Sequence, residues 1–192
     1  MCRWLVVAAC AALLSACASL TPPSEAPAAR PARDAISQFN LSGRVAVRNG
    51  AESFSGKIDW RHGDDGSDRI LLSSPLGQGL AELDADRQGA RLNTSDNKHY
   101  AAASLDDLSE QVFGARLPLS KLPRWVLGQV PGSDDRLALD TLGRPVSFSA
   151  AGWSVAYPSY ESEMVNALPA LIRLSRDELD VRLKIDRWEL AP

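Results

Sequence analysis

The chain has 192 residues, of which 23% are charged, and a net charge of −3 at pH 7. This balance argues against nucleic acid as a partner, because nucleic-acid binding requires a surplus of Lys and Arg. It also argues against simple electrostatic attraction of the whole chain to anionic lipid. The length suits one domain with a substantial hydrophobic core.

The first 17 residues form a secretory signal that ends in a lipid-attachment motif. Arg3 precedes an apolar run at residues 4–16, which is shorter than the about 20 residues that a membrane-spanning helix needs. The motif Leu-Ser-Ala-Cys at residues 14–17 matches the bacterial lipobox. We predict a signal peptide at residues 1–16 and lipid on Cys17, as an S-diacylglyceryl group and an N-acyl chain. A cleaved signal with a chance cysteine and an uncleaved anchor helix remain as alternatives.

The predicted cleavage also removes Cys2 and Cys10, so the mature chain has no disulfide. Its stability must then come from a packed core, although it works in an oxidising compartment. Loss of Arg3 takes the net charge to about −4. Residues 17–33 are rich in Pro, Ala and Ser, which is typical of a flexible tether behind the lipid. Residues 34–192 are predicted to form a single domain.

Alternation of apolar and polar residues predicts an antiparallel meander in the first half of this domain. A short helix is predicted before it, over residues 31–39, from apolar residues at three- and four-residue spacing. The dipeptide Asn49-Gly50 is a hairpin turn signal. The predicted strands are residues 40–48, 54–61, 69–73, 80–85, 90–94 and 98–101.

Two helices are predicted in the middle of the chain. The first begins after an N-cap at Ser104 and ends at Gly114. The second covers residues 118–128, and Pro123 lies in its first turn if Ser120 or Leu122 starts the helix. Strands then return, with a loop at residues 158–167 before the last hairpin. These later strands are predicted at residues 137–139, 146–149, 153–157, 170–174 and 180–188.

The order of strands, then helices, then strands is typical of an α+β fold. We predict a large curved antiparallel sheet with helices packed on one face. Such a sheet can enclose an apolar interior that suits an acyl chain. A filled core is the alternative.

No catalytic grouping is evident in the sequence. His62 and His99 lack a partner His or Cys at metal-ligand spacing, so both are interpreted as surface residues. Paired acids such as Asp106 and Asp107 suit solvation and helix capping. A Gly-x-Ser-x-Gly elbow and a phosphate-binding loop are both absent from the sequence. We predict no enzyme activity, no metal and no cofactor.

The connection at residues 73–79 places one large apolar residue among turn formers. Pro75 and Gly77 favour an exposed loop, which predicts that Leu76 faces water. A single exposed leucine is common on soluble proteins. On a membrane-tethered protein, however, a leucine at a loop tip can enter the bilayer.

Seven short motifs occur in order along the mature chain. They are Phe39-x-Leu41-x-Gly43-Arg44-x-Ala46, Gly56-x-x-x-Trp60, Leu71-x-x-x-Pro75-Leu76-Gly77, Leu117-Pro118-Leu119-x-x-Leu122-x-x-Trp125-x-x-Gly128, Gly152-Trp153-x-Val155-x-Tyr157, Leu168-Pro169 and Leu183-Lys184-x-x-x-Trp188. Together with the lipobox, they resemble the LolB family of outer-membrane lipoprotein receptors. Each motif alone is weak, and their order is specific.

The resemblance implies an unclosed, strongly curved antiparallel sheet, a half-barrel, with helices covering the open side of an apolar cavity. It implies a protein that accepts acylated lipoproteins from a soluble periplasmic carrier, LolA-like, and inserts them into the inner leaflet of the outer membrane. The family's membrane-insertion loop corresponds to Pro75, Leu76 and Gly77. Ala18, after the lipid-bearing cysteine, agrees with outer-membrane sorting. The implied partners are the carrier, acylated lipoproteins and outer-membrane lipid, and we expect a lipid-anchored monomer facing the periplasm.

Large apolar side chains on the predicted inner faces are candidates to line an acyl-chain cavity. For each of them, packing in a filled core is the alternative. They are Val45, Ile58, Trp60, Leu72, Leu83, Trp125, Val155, Leu183 and Ile185. Two other functions remain open: a structural outer-membrane lipoprotein with a filled core, and a lipid hydrolase, for which no nucleophile–base pair is evident.

Overall fold

The structure is a computed structural model that describes residues 31–114, 116–130 and 136–190. The predicted signal peptide, Cys17 and the tether as far as residue 30 lie outside the described residues. Residues 31–192 group into one unit by their contacts.

One antiparallel sheet makes up most of this unit. The helices are α1 (Leu105–Phe113) and α2 (Leu122–Val126), and 3-10 turns cover Arg33–Ala35 and Leu119–Lys121. The strands are β1 (Phe39–Asn49), β2 (Glu52–His62), β3 (Asp68–Ser73), β4 (Gly79–Asp86), β5 (Gly89–Thr94), β6 (His99–Ala102), β7 (Ala138–Leu139), β8 (Pro145–Ala150), β9 (Trp153–Tyr160), β10 (Pro169–Arg176) and β11 (Leu179–Leu190).

The strands of this 11-stranded sheet run in the order β6-β5-β4-β3-β2-β1-β11-β10-β9-β8-β7. Two meanders, β1–β6 and β7–β11, are therefore joined by one long-range pair. In that pair Phe39 lies opposite Leu190, and Asn49 lies opposite Leu179. Strands β6 and β7 stand at the two edges, so the sheet is unclosed. The predicted α+β fold with an unclosed antiparallel sheet is confirmed.

Each strand turns one face inward and the other toward water. On β1, Phe39, Leu41 and Gly43 are buried, whereas Arg44 and Arg48 are exposed. This period of two follows from the alternation of side chains on a pleated strand. The apolar positions therefore put the core on one side of the sheet, and both helices pack on that side.

Three aromatic side chains on neighbouring strands hold the long-range pair together. The ring of Phe39 meets the rings of Trp60 and Trp188 edge-on, at centroid distances of 5.3 and 5.4 Å. The Trp60 indole N–H donates to Asp68 Oδ1 at 2.7 Å, and the Trp188 indole N–H donates to the Pro169 carbonyl oxygen at 3.0 Å. A large buried side chain contributes about 1.5–3 kcal/mol through burial alone. This cluster therefore stabilises the junction of β2, β1 and β11.

Helix α1 begins and ends as its sequence predicts. The backbone N–H of Asp107 donates to Ser104 Oγ at 3.1 Å, and Gly114 ends the helix in the left-handed conformation with φ of 68°. Helix α2 is shorter than predicted, because the turn before it is 3-10 and Pro123 lies in its first turn. None of the helices in the described residues is long and apolar enough to span a membrane.

Two local predictions are wrong. Residues 31–39 do not form a helix, since one 3-10 turn leads into extended chain and the buried ring of Phe39 already belongs to β1. The loop predicted at residues 158–167 is shorter, because β9 continues through Pro158 to Tyr160. The register of β9 and β10 shifts around Pro158, and irregular positions of this kind accept proline.

His62 is not a surface residue as predicted, whereas His99 is exposed. His62 Nδ1 lies 2.7 Å from Asp68 Oδ1, and its ring stacks on Phe39 with centroids 5.3 Å apart. Asp68 is itself buried. The histidine thus supplies a polar partner for a buried carboxylate, which the spacing of residues in the sequence does not reveal.

Gly43 lies where the register between β1 and β11 shifts. A Cβ at this position would come within 2.2 Å of the Lys184 carbonyl oxygen. We predict that Gly43→Ala lowers the free energy of unfolding by about 1–3 kcal/mol, since the close-packed backbone must move. Gly79→Ala is the matched control, because a Cβ there meets nothing within 4 Å. Urea unfolding measures both, and equal stability of the two variants would contradict the packing at Gly43.

Tyr157 ties β9 to α2 by donating its hydroxyl proton to the Trp125 carbonyl oxygen at 2.7 Å. Burial raises the pKa of Tyr157 above its usual value, and burial also raises the pKa of Tyr160 to about 12. The folded state therefore favours both neutral phenols. The contribution of the two phenols to stability is fully present below about pH 10, the pKa of tyrosine in the unfolded chain, and is lost as the pH rises above that value.

We predict that Tyr157→Phe lowers the free energy of unfolding by about 1–3 kcal/mol, because the Trp125 carbonyl oxygen loses its partner. Above about pH 10, unfolding stability of the unchanged protein should fall more steeply than that of Tyr157→Phe. Urea unfolding at a series of pH values measures both effects. Parallel curves for the two proteins would show that Tyr157 does not titrate with unfolding.

Candidate functional site

The inward side chains gather in two clusters. The smaller core lies beneath α1 and is built on Leu108, Ala85 and Ala90. The main core lies beneath α2 and draws on β1, β2 and β8–β11. Its members are Ile36, Phe39, Leu41, Ile58, Trp60, Trp125, Val126, Leu127, Phe148, Trp153, Val155, Tyr157, Leu168, Ile172, Leu174, Leu183, Ile185 and Trp188.

Apolar side chains that are only partly buried connect the two cores. Val45, Ile70 and Leu72 pack against the main core, and Leu83 packs against the smaller core. We call these four residues the inner apolar strip. Ile70 lies directly opposite Leu83, and Val45 lies opposite Gly56. Inward-facing apolar groups that still meet solvent are the part of the inner face open to a ligand.

Residues 104–114 and 116–126 cross the inner face as a strap. Helix α1 packs on β5 and β6, and α2 reaches β8, where Trp125 meets Phe148 with ring centroids 5.6 Å apart. The Ser120 N–H donates to Asp106 Oδ1 at 2.9 Å, which ties the two halves of the strap together. The strap therefore covers both ends of the inner face, and the inner apolar strip lies between its two ends.

The predicted lining residues divide into two groups. The inner apolar strip contains Val45, Leu72 and Leu83. The other six, which are buried in the main core, are Ile58, Trp60, Trp125, Val155, Leu183 and Ile185. Ile70 was not among the residues predicted from the sequence. It lies two residues before Leu72 on β3, and the alternation of side chains along a strand places both on the same face.

The loop between β3 and β4 presents Leu76 to solvent, with 91% of the residue exposed. The Gly77 N–H donates to the Ser74 carbonyl oxygen at 2.9 Å, and the Ser74 N–H donates to the Gln78 carbonyl oxygen at 2.8 Å. Pro75 in the second position and Gly77 in the fourth are typical of a tight β-turn. Gly77 has a φ of 89°, which favours glycine. The loop is thus a hydrogen-bonded turn with an apolar tip.

Two grooves on the outside of the sheet are lined by charged and polar side chains together with some apolar ones. One of about 490 Å³ lies over β11, β1, β2 and β3, among charged side chains that include Arg61, Arg69 and Glu189. Another of about 410 Å³ lies at the β8–β9 and β10–β11 hairpins and includes Arg176 and Asp177. Neither suits an acyl chain. Within the described ranges there is also no group of three side chains placed to hold a metal ion.

The architecture defines a class of protein. It resembles the crystal structure of a LolA superfamily protein from Nitrosomonas europaea, with a TM-score of 0.52 over 82% of this chain and 88% of that chain. The sequence identity is 8%, so the likeness concerns the fold alone. The class that it defines is one of fold: an unclosed antiparallel sheet with helices packed on one face.

The chain belongs to the LolB family. The family model described as outer membrane lipoprotein LolB matches residues 37–188. The outer-membrane lipoprotein LolB of Azoarcus sp. strain BH72 is 39% identical over 190 residues, which is 98% of this chain and 96% of that protein. The corresponding protein of Dechloromonas aromatica is 39% identical over 186 residues, 94% of each chain. The family places the chain at the outer membrane as a lipid-anchored protein.

Proposed function

We propose that this protein is a lipoprotein-localisation receptor that works by transfer rather than catalysis. It accepts acylated lipoproteins from a LolA-like periplasmic carrier and delivers them into the inner leaflet of the outer membrane. It acts as a monomer held to that membrane by lipid on Cys17. The observation that carries the proposal is the inner apolar strip, an inward apolar surface that the core leaves partly uncovered.

An apolar surface of this kind can hold acyl chains because each methylene removed from water contributes about 0.8 kcal/mol. The same chains are bound in the carrier, so the direction of transfer depends only on the difference between two affinities. About 1.4 kcal/mol in favour of the receptor gives a tenfold preference. Transfer from carrier to receptor then needs no nucleotide.

Leu76 supports the delivery step. Its side chain is exposed on a fixed turn, so entering the bilayer requires little reordering of the loop. Burial of a leucine side chain contributes about 1.5–3 kcal/mol. That is enough to bring the domain to the membrane transiently and too little to hold it there, which suits a protein that must release its cargo.

A structural lipoprotein with a filled core remains the second candidate. It is favoured by the burial of six of the nine predicted lining residues in the main core. The two candidates differ in what a polar group on the inner apolar strip should do, since only a receptor binds acyl chains there.

Leu76→Glu should leave acceptance from the carrier unchanged and reduce delivery to membranes by more than tenfold, because a carboxylate is costly to bury in a bilayer. Leu139→Glu is the matched control, as Leu139 is another exposed leucine, on β7. Acceptance is measured with the soluble mature chain, residues 17–192 with Cys17→Ala. Delivery is measured as lipoprotein recovered in outer-membrane vesicles with the lipidated protein. Unchanged delivery by Leu76→Glu would remove the role assigned to this loop.

Val45→Gln places an amide on the inner apolar strip, where an acyl chain cannot pair with it. The penalty of about 1–3 kcal/mol predicts acceptance from the carrier weakened by about tenfold. Ala46→Gln is the control, since Ala46 is the next residue on β1 and points outward. Equal acceptance by the two variants, with both folded, would favour the structural lipoprotein.

A further inference from the structure

The outer face of the sheet carries a group of cations on four adjacent strands, β2, β1, β11 and β10. Each lies between two inward-facing residues of its strand and is exposed to solvent. We call this group the outer cationic patch. Its members are Arg44, Lys57, Arg173, Arg182 and Lys184.

Directly paired positions within the patch carry like charges. Arg44 lies opposite Lys57 on one side and opposite Lys184 on the other, and Arg173 lies opposite Arg182. Neighbouring strands are about 4.8 Å apart. Like charges in opposite positions destabilise a sheet, and an anion bound from outside would offset this repulsion.

One carboxylate neutralises part of the patch. Asp186 accepts two hydrogen bonds from Arg44, at 2.8 and 3.1 Å. That hydrogen bonding, with the nearby charges of Arg44 and Lys184, holds the pKa of Asp186 below its usual value, so this carboxyl is ionised. Within the described part of the chain, the other four cations of the patch form no ion pair.

Other cations of the same outer face have acidic partners, although Arg61 lies opposite Arg69. Arg69 pairs with Glu82 and lies 3.7 Å from Asp84, and Arg187 lies 3.6 Å from Glu189. A chain with a net charge of −3 therefore concentrates a positive surplus in one region. The net charge of the chain sums over all of its surfaces and therefore does not reveal this local positive surplus.

The patch is continuous with the loop that carries Leu76. Ser73, the last residue of β3, lies opposite Lys57, and the row continues through Arg44 to Lys184. Leu76 follows Ser73 by three residues in the chain. An apolar tip beside a row of cations matches the chemistry of a bilayer surface, in which acyl chains lie beneath anionic phosphate groups.

We propose that the outer cationic patch binds the headgroups of anionic phospholipids and so holds the receptor against the membrane while the Leu76 loop delivers its cargo. The role given to the patch, holding the receptor at the membrane during delivery, rests on the proposed function. Headgroup binding itself does not depend on acyl-chain binding, since the patch and the inner apolar strip lie on opposite faces of the sheet. Lipid on Cys17 then tethers the protein, and the patch orients it.

The test uses residues 17–192 with Cys17→Ala, so that the lipid anchor does not mask a weaker contact. Its affinity is measured for vesicles of phosphatidylcholine alone and of phosphatidylcholine with phosphatidylglycerol in about equal amounts. The patch variant is Arg173→Gln, Arg182→Gln and Lys184→Gln combined. The matched control, Arg87→Gln, Lys121→Gln and Arg124→Gln combined, removes equal charge from exposed positions outside the patch.

The unchanged protein should prefer the anionic vesicles, and added salt should abolish the preference. At about fivefold per cation, the patch variant should lose about a hundredfold in affinity for anionic vesicles at low salt. The control variant should keep most of that affinity. The patch variant should also unfold at equal or higher urea concentration, because the repulsion between Arg173 and Arg182 is relieved.

Equal binding of the unchanged protein to both kinds of vesicle would overturn the proposal, as would an equal loss in the patch and control variants. A patch variant that binds vesicles normally but accepts lipoprotein poorly from the carrier would also overturn it, because the face would then dock an acidic protein. Failure of the proposed function is a separate result: the unchanged protein would take no lipoprotein from the carrier, whatever its vesicle binding.

Discussion

The pairing of β1 with β11 is the contact on which the rest of the structure depends. It joins two meanders that are local in sequence, and it connects residues as far apart as Phe39 and Leu190. Without it each half has one more open edge, and the main core, which draws on strands of both halves, is divided. The rings of Phe39, Trp60 and Trp188 meet across this junction. Burial of these rings, as much as the backbone ladder, therefore decides that the chain forms one sheet.

The continuous sheet has an apolar inner face and a charged outer face. The strap anchored by Asp106 and Trp125 covers the ends of the inner face and leaves the inner apolar strip partly open. The outer face carries the charged side chains, and like-charged pairs of cations meet in the outer cationic patch. In the proposed account, acyl chains and headgroups bind to opposite faces of one sheet, and the loop bearing Leu76 lies where β3 turns back into β4.

Local patterns in the sequence predict most of this fold. Alternation gives the strands, Ser104 and Gly114 give the ends of α1, and Pro75 with Gly77 predicts the exposed turn around Leu76. The pairing of the two meanders is not predictable in this way, because no local pattern encodes a partner at the far end of the chain. Long-range contacts also explain the failures: His62 is drawn inward by a buried carboxylate. Which lining residues remain uncovered depends on where the strap crosses, and that too is a tertiary property.

Acyl chains bound along the inner apolar strip would lie close to Trp60, which is paired directly with Ile70. Bromine on an acyl chain quenches tryptophan fluorescence only at short range. A lipoprotein with brominated acyl chains, transferred from the carrier, therefore shows whether the chains lie near Trp60. Fluorescence of the soluble mature chain should fall on transfer of brominated but not of unbrominated lipoprotein, and the fall should be smaller in Trp60→Phe. Complete transfer with no bromine-dependent quenching would contradict an interior site for the acyl chains.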